Sequence, residues 1–93
     1  MKTYTYKFII TNLQNKNILK VLLTMALKET ELIYGKAKVK LETNYKLYDN
    51  RPICLIEGGT ESSEHLAKLL SGFLIKEVGE DNFKVERIEN TAK

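Results

Sequence analysis

The stretch richest in side chains that can do chemistry is "EGGTESSEH", Glu57 to His65. Glu61 lies four residues before His65 and three before Glu64, so on a helix these side chains share one face. Carboxylates and an imidazole on one face are a donor set for a divalent cation, with Glu57 close by in sequence. A plainer use competes with that one. Acidic residues in the first turn of a helix complement its dipole, and a histidine beside them is simply solvated. The plainer use is the expectation, and no metal is expected. Gly58-Gly59 ahead of a helix also suggests an anion cradle built from free amides. Neither G-x-x-x-x-G-K-S/T nor G-x-G-x-x-G is present, however, and Glu57, Glu61 and Glu64 would repel a phosphate.

Nucleophiles are scarce. Cys54 is the single cysteine and sits inside the apolar run "ICLIE", where a thiol behaves as a small hydrophobe. His65 lies past the following turn, so a Cys–His pair is not expected. Ser62 and Ser63 are read as helix caps rather than nucleophiles. No catalytic residue and no cofactor are therefore expected.

The chain has 93 residues and a net charge of +3. That length suits one domain with a single core. Residues 1–51 hold ten Lys/Arg and four Asp/Glu, a balance of +6, whereas residues 52–93 hold five and eight, a balance of −3. Such asymmetry suits a polyanion-binding face, an oligomer of mutually attracting faces, or plain scatter. No apolar run approaches the roughly 18 residues of a membrane span, and "MKTYTYKFIITN" lacks a secretory pattern. One cysteine excludes an internal disulfide. A cytoplasmic protein is the expectation.

The elements follow from periodicity. Tyr4, Tyr6, Phe8 and Ile10 alternate with Thr3, Thr5, Lys7 and Ile9, a strand pattern over Thr3 to Thr11. Ile18, Leu19, Leu22, Leu23, Met25, Ala26 and Leu27 recur at helical steps, with Asn15 or Asn17 as N-cap and an end near Thr30. Ile33 to Tyr48 alternates over its length and reads as a long strand. "YDNRP" reads as a turn, and "ICLIE", Ile53 to Glu57, as a strand apolar on both sides. Leu66, Leu69, Leu70, Phe73 and Leu74 mark a second helix, capped from Thr60, Ser62 or Ser63 and closed at Gly79. Gly72 inside it suggests a close approach by another element. Phe83 to Glu89 reads as the last strand, with the few residues after it polar and flexible. The order β-α-β-β-α-β predicts an α+β, ferredoxin-like domain: a four-stranded antiparallel sheet with two helices on one face, strands one and three central.

With that fold, the alternation in "KAKVKLETNYKL" sends Ala37, Val39 and Leu41 to the helices and Lys36, Lys38, Lys40 and Lys46 to the open face. Lys7 and Ile9 join them from the first strand. In "ICLIE" one of the pairs Ile53/Leu55 or Cys54/Ile56 must face outward beside Ile9, leaving an apolar patch next to the basic row. The expected function is a non-catalytic binding or assembly domain, an accessory or regulatory subunit. It would contact a protein partner or another copy of itself through Lys7, Ile9, Lys36, Lys38, Lys40 and Lys46. The alternative is a nucleic-acid-binding protein with the same lysines on phosphates. The aromatic pair that base-stacking modules of this fold present on the open face has no counterpart here.

Overall fold

The computed structural model describes residues 3–11, 17–48 and 51–90. Strand β1 (Thr3–Ile10) is followed by helix α1 (Ile18–Tyr34), helix α2 (Lys36–Glu42), strands β2 (Tyr45–Leu47) and β3 (Ile53–Glu57), helix α3 (Glu61–Glu77), a 3-10 turn (Glu80–Asn82) and strand β4 (Phe83–Asn90). The sheet is four-stranded, ordered β2-β3-β1-β4, with antiparallel neighbours throughout. The architecture is therefore α+β with an antiparallel sheet and three helices, where two helices were expected.

The difference lies in the most regular part of the sequence. Lys36–Glu42 is helical, so the long strand expected over Ile33 to Tyr48 shrinks to Tyr45–Leu47. Alternation of lysine with Ala, Val and Leu is a strand pattern only if alternate residues need burial. Here Val39 alone is buried, while Ala37 is exposed and Leu41 is 87 % exposed. Lysine, alanine, leucine and glutamate are all good helix formers. Val39 alone marks the inner face of this seven-residue helix.

The boundary is set by Gly35. Its φ of +87° is a conformation other residues rarely adopt, and its N–H donates to the Glu31 carbonyl at 2.8 Å. Helix α1 therefore runs past Thr30 to Tyr34. Thr30 is buried without penalty because its hydroxyl donates to the Ala26 carbonyl at 2.7 Å. Asn17 occupies the N-cap position of α1; Asn15, and the Asp49-Asn50 part of the expected turn, lie outside the described residues.

Helix α3 begins at Thr60, whose side chain accepts from the Ser63 N–H while the Ser63 hydroxyl accepts from the Thr60 N–H. It ends ahead of Gly79, at φ +90°. Gly72 serves no close approach, since nothing lies within 4 Å of where its Cβ would stand.

The core lies between the helices and one sheet face. Phe8 and Ile10 of β1 and Cys54 and Ile56 of β3 meet Leu19, Leu22, Leu23 and Ala26 of α1 and Leu66, Ala67, Leu70 and Leu74 of α3. Fully burying each leucine, isoleucine or phenylalanine stabilises by about 1.5–3 kcal/mol against leaving it exposed. Among the described residues no helix is long and apolar enough to cross a membrane.

Candidate functional site

The face of the sheet away from the core is fixed by strand register. Ile9 stands opposite Ile53 on one side and Lys84 on the other; Lys7 stands opposite Leu55 and Glu86; Thr5 stands opposite Glu57 and Ile88. Lys46 also meets Leu55, from β2. Because Cys54 and Ile56 are fully buried, Ile53 and Leu55 take the outward phase, beside Ile9. The Tyr48 N–H donates to the Ile53 carbonyl at 3.1 Å, and the Lys46 ammonium lies 5.1 Å from the Tyr48 ring centroid. An apolar strip of Ile9, Ile53 and Leu55 thus runs across the two central strands. Its rim carries Lys7, Lys46 and Lys84 but also Glu57 and Glu86. At one end a shallow depression of about 210 Å³ is lined by Thr5, Asn44, Tyr45, Lys46, Leu55 and Glu57.

Of the residues expected on this face, Lys7, Ile9 and Lys46 are together. Lys36, Lys38 and Lys40 are elsewhere, because the helical path of α2 takes them off the sheet. Lys38 donates to Glu61 at 2.8 Å and lies 3.9 Å from Glu42 and 5.3 Å from the Tyr34 ring centroid. The hydrogen bond to Glu61 raises its pKa above the ordinary lysine value. Lys36 and Lys40, four apart and exposed, border a groove of about 490 Å³ with Leu27, Glu31, Val39, Thr43 and Tyr45. The lysines therefore form no continuous row.

The carboxylates of "EGGTESSEH" separate as well. Glu64 accepts from Tyr4 Oη at 2.7 Å, Tyr6 Oη at 2.8 Å and the Gly59 N–H at 3.1 Å. Burial alone would raise its pKa, but these hydrogen bonds outweigh burial and hold the carboxyl below its ordinary range. Burial, and then the bond to Glu64, push the Tyr6 phenol well above its usual pKa, so it keeps the proton it donates. The Arg87 guanidinium lies 4.0 Å from the Tyr4 ring centroid. Gly58 makes room for that ring: a Cβ there would stand 2.2 Å from Tyr4 Cε2. Glu61 turns to Lys38, and Glu57 accepts from Asn44 Nδ2 at 3.3 Å. Glu42, from α2, accepts from the Ser62 hydroxyl at 2.7 Å and the Ser62 N–H at 3.2 Å. The bond from the Ser62 hydroxyl is the main reason its pKa is lowered.

His65 packs edge-on against Tyr34 at 5.6 Å between centroids, and its Nε2 is buried without a hydrogen-bond partner. Among the described residues no group of three or more His, Cys, Asp or Glu is placed to hold a metal ion. Cys54 is fully buried, and burial pushes its thiol up to about 12.

The Tyr4–Tyr6–Glu64 clasp was not anticipated from sequence. Its trace there is two tyrosines of one strand phase and a glutamate in a first helical turn. No protein-family model matches this sequence, and a search of curated proteins gives no match.

Proposed function

We propose that this protein is a non-catalytic binding domain that contacts a protein partner through the open face of its sheet. The observation carrying this reading is the strip of Ile9, Ile53 and Leu55 on the side of the sheet opposite the core. Adjacent apolar side chains on a sheet face that no helix of the described residues covers are suited to a partner's apolar surface. The rim of Lys7, Lys46, Lys84, Glu57 and Glu86 carries both signs, which suits the mixed surface of a protein better than a row of phosphates. Dispersal of Lys36, Lys38 and Lys40 points the same way. The strand order and antiparallel pairing support a ferredoxin-like arrangement in which α2 is an extra helix between α1 and β2. The single buried cysteine fits a reducing, cytoplasmic setting.

The test is site-specific photo-crosslinking in cells. A photoreactive residue at position 9 should yield a discrete protein adduct that Leu55→Glu abolishes, and the same residue at Lys76 on α3 should not. Equal adducts from both positions, or an adduct insensitive to Leu55→Glu, would reject the open face. Anisotropy with labelled oligonucleotides at about 50 and 200 mM salt checks the nucleic-acid alternative. Little binding at the lower salt is expected.

A further inference from the structure

The two edges of the sheet are built differently. β2 is three residues long and carries Lys46. β4 runs for eight residues in unbroken register with β1, without proline, and Lys84 to Glu89 are all exposed along it. Sheet edges are commonly blunted by short strands, bulges, prolines or charges that disfavour pairing. β4 lacks the first three, and its charges in "KVERIE" balance: Lys84 and Arg87 against Glu86 and Glu89.

The direction of its peptide groups is also fixed. The Thr11 N–H donates to the Asn82 carbonyl at 2.9 Å, which sets the alternation along the β1–β4 ladder. Lys84, Glu86 and Ile88 turn their peptide groups to β1. Phe83, Val85, Arg87 and Glu89 turn theirs to the outer edge, where the described residues supply no further strand.

We propose that β4 pairs with β4 of a second copy of this chain, antiparallel, about a two-fold axis at Val85. This goes beyond the open-face reading and uses a different surface. The register sets Val85, 43 % exposed in one copy, against Val85 of the other. It sets Lys84 against Glu86 twice, once in each direction, and Phe83 against Arg87. The Lys84–Glu86 pairs are of the non-hydrogen-bonded kind, in which facing side chains come closest. Shifting the axis to Glu86 would oppose two glutamates, and shifting it to Arg87 two arginines. An axis at Ile88 would engage only the end of the strand. The Val85 register is the one that pairs unlike charges and like apolar residues along the first half of β4, and it continues the sheet through both copies.

The experiment is sedimentation equilibrium at about 100 µM, with circular dichroism as a check on folding. Wild type should be a dimer. Lys84→Glu alone and Glu86→Lys alone should each be folded and associate roughly tenfold or more weakly, since both cross-copy pairs become like-charged. An equimolar mixture of the two variants should recover the dimer, because opposite signs then face each other at both pairs. Val85→Pro should be folded and monomeric, since the N–H it removes points to the free edge. Leu55→Glu, on the open-face strip, should leave the dimer intact. A monomeric wild type, a single charge variant that dimerises like wild type, a mixture that stays monomeric, or a dimer dissolved by Leu55→Glu would each overturn the proposal.

Discussion

Tyr6 donates to Glu64 across 2.8 Å, tying a central strand to the first turn of α3. With Tyr4 and the Gly59 amide on the same carboxylate, the ionised form of Glu64 is favoured in the folded protein. A carboxyl whose folded pKa is lowered contributes stability above its unfolded pKa of about 4.3 and loses it as pH falls through the folded pKa. Wild type should therefore lose more stability between pH 7 and pH 3 than Glu64→Gln does, by urea unfolding. At pH 7, Glu64→Ala should cost roughly 1–3 kcal/mol, because it leaves two part-buried tyrosine hydroxyls unpaired. Equal acid losses in wild type and Glu64→Gln would remove Glu64 from the acid response.

Gly58 should be intolerant of a methyl group, because a Cβ there would meet the Tyr4 ring first and the Glu64 carboxylate, at 2.6 Å from Oε2, second. Gly58→Ala should destabilise by about 1–3 kcal/mol, as overpacking does. In a Tyr4→Ala background the same substitution should cost far less, since the clashing ring is gone. A double-mutant cycle showing additive costs would place the intolerance at the Glu64 carboxylate instead.

Val39 and Leu41 share a face in a strand but diverge in the helix seen here. Val39 is 3 % exposed and Leu41 is 87 % exposed. Val39→Ala should cost about 1–2 kcal/mol, whereas Leu41→Asp should change stability by no more than about 0.5 kcal/mol. Similar costs at the two positions, measured by thermal or urea unfolding, would contradict a helical α2.

Cys54 should resist alkylation at neutral pH in the folded protein, because its thiol is buried and pushed up to about 12. Labelling with iodoacetamide should follow unfolding, so adding denaturant should speed it sharply. Fast labelling of the native protein would place the thiol at the surface.

The sheet was legible in the sequence where apolar runs had sharp borders. β3 sits between Pro52 and Gly58-Gly59, and Tyr6, Phe8 and Ile10 show the core phase of β1 as expected. The outward pair in "ICLIE" followed as Ile53/Leu55 once Cys54 and Ile56 were buried. Lys36 to Glu42 was not legible as a helix, because its alternation and its helix-forming composition pull in opposite directions. What decides between them is how many of Ala37, Val39 and Leu41 the core admits, which is a tertiary fact. The clasp was hidden for a related reason. Tyr4, Tyr6 and Glu64 stand far apart in sequence, and only the fold gives the two hydroxyls a shared acceptor.

Of the four described strands β1 is made first, yet it lies in the middle of the sheet and pairs with β4, made last of the four. During synthesis at about 5–20 residues per second, one flank of β1 has no native partner until β4 leaves the ribosome, several seconds later. Helices α1 and α3 can form locally in that interval, but the sheet cannot close. The chain therefore passes through a stage in which Thr3, Thr5, Lys7 and Ile9 offer their amides and carbonyls to any extended segment nearby. A nascent protein of this topology has its strongest claim on a chaperone in the interval between release of β1 and release of β4.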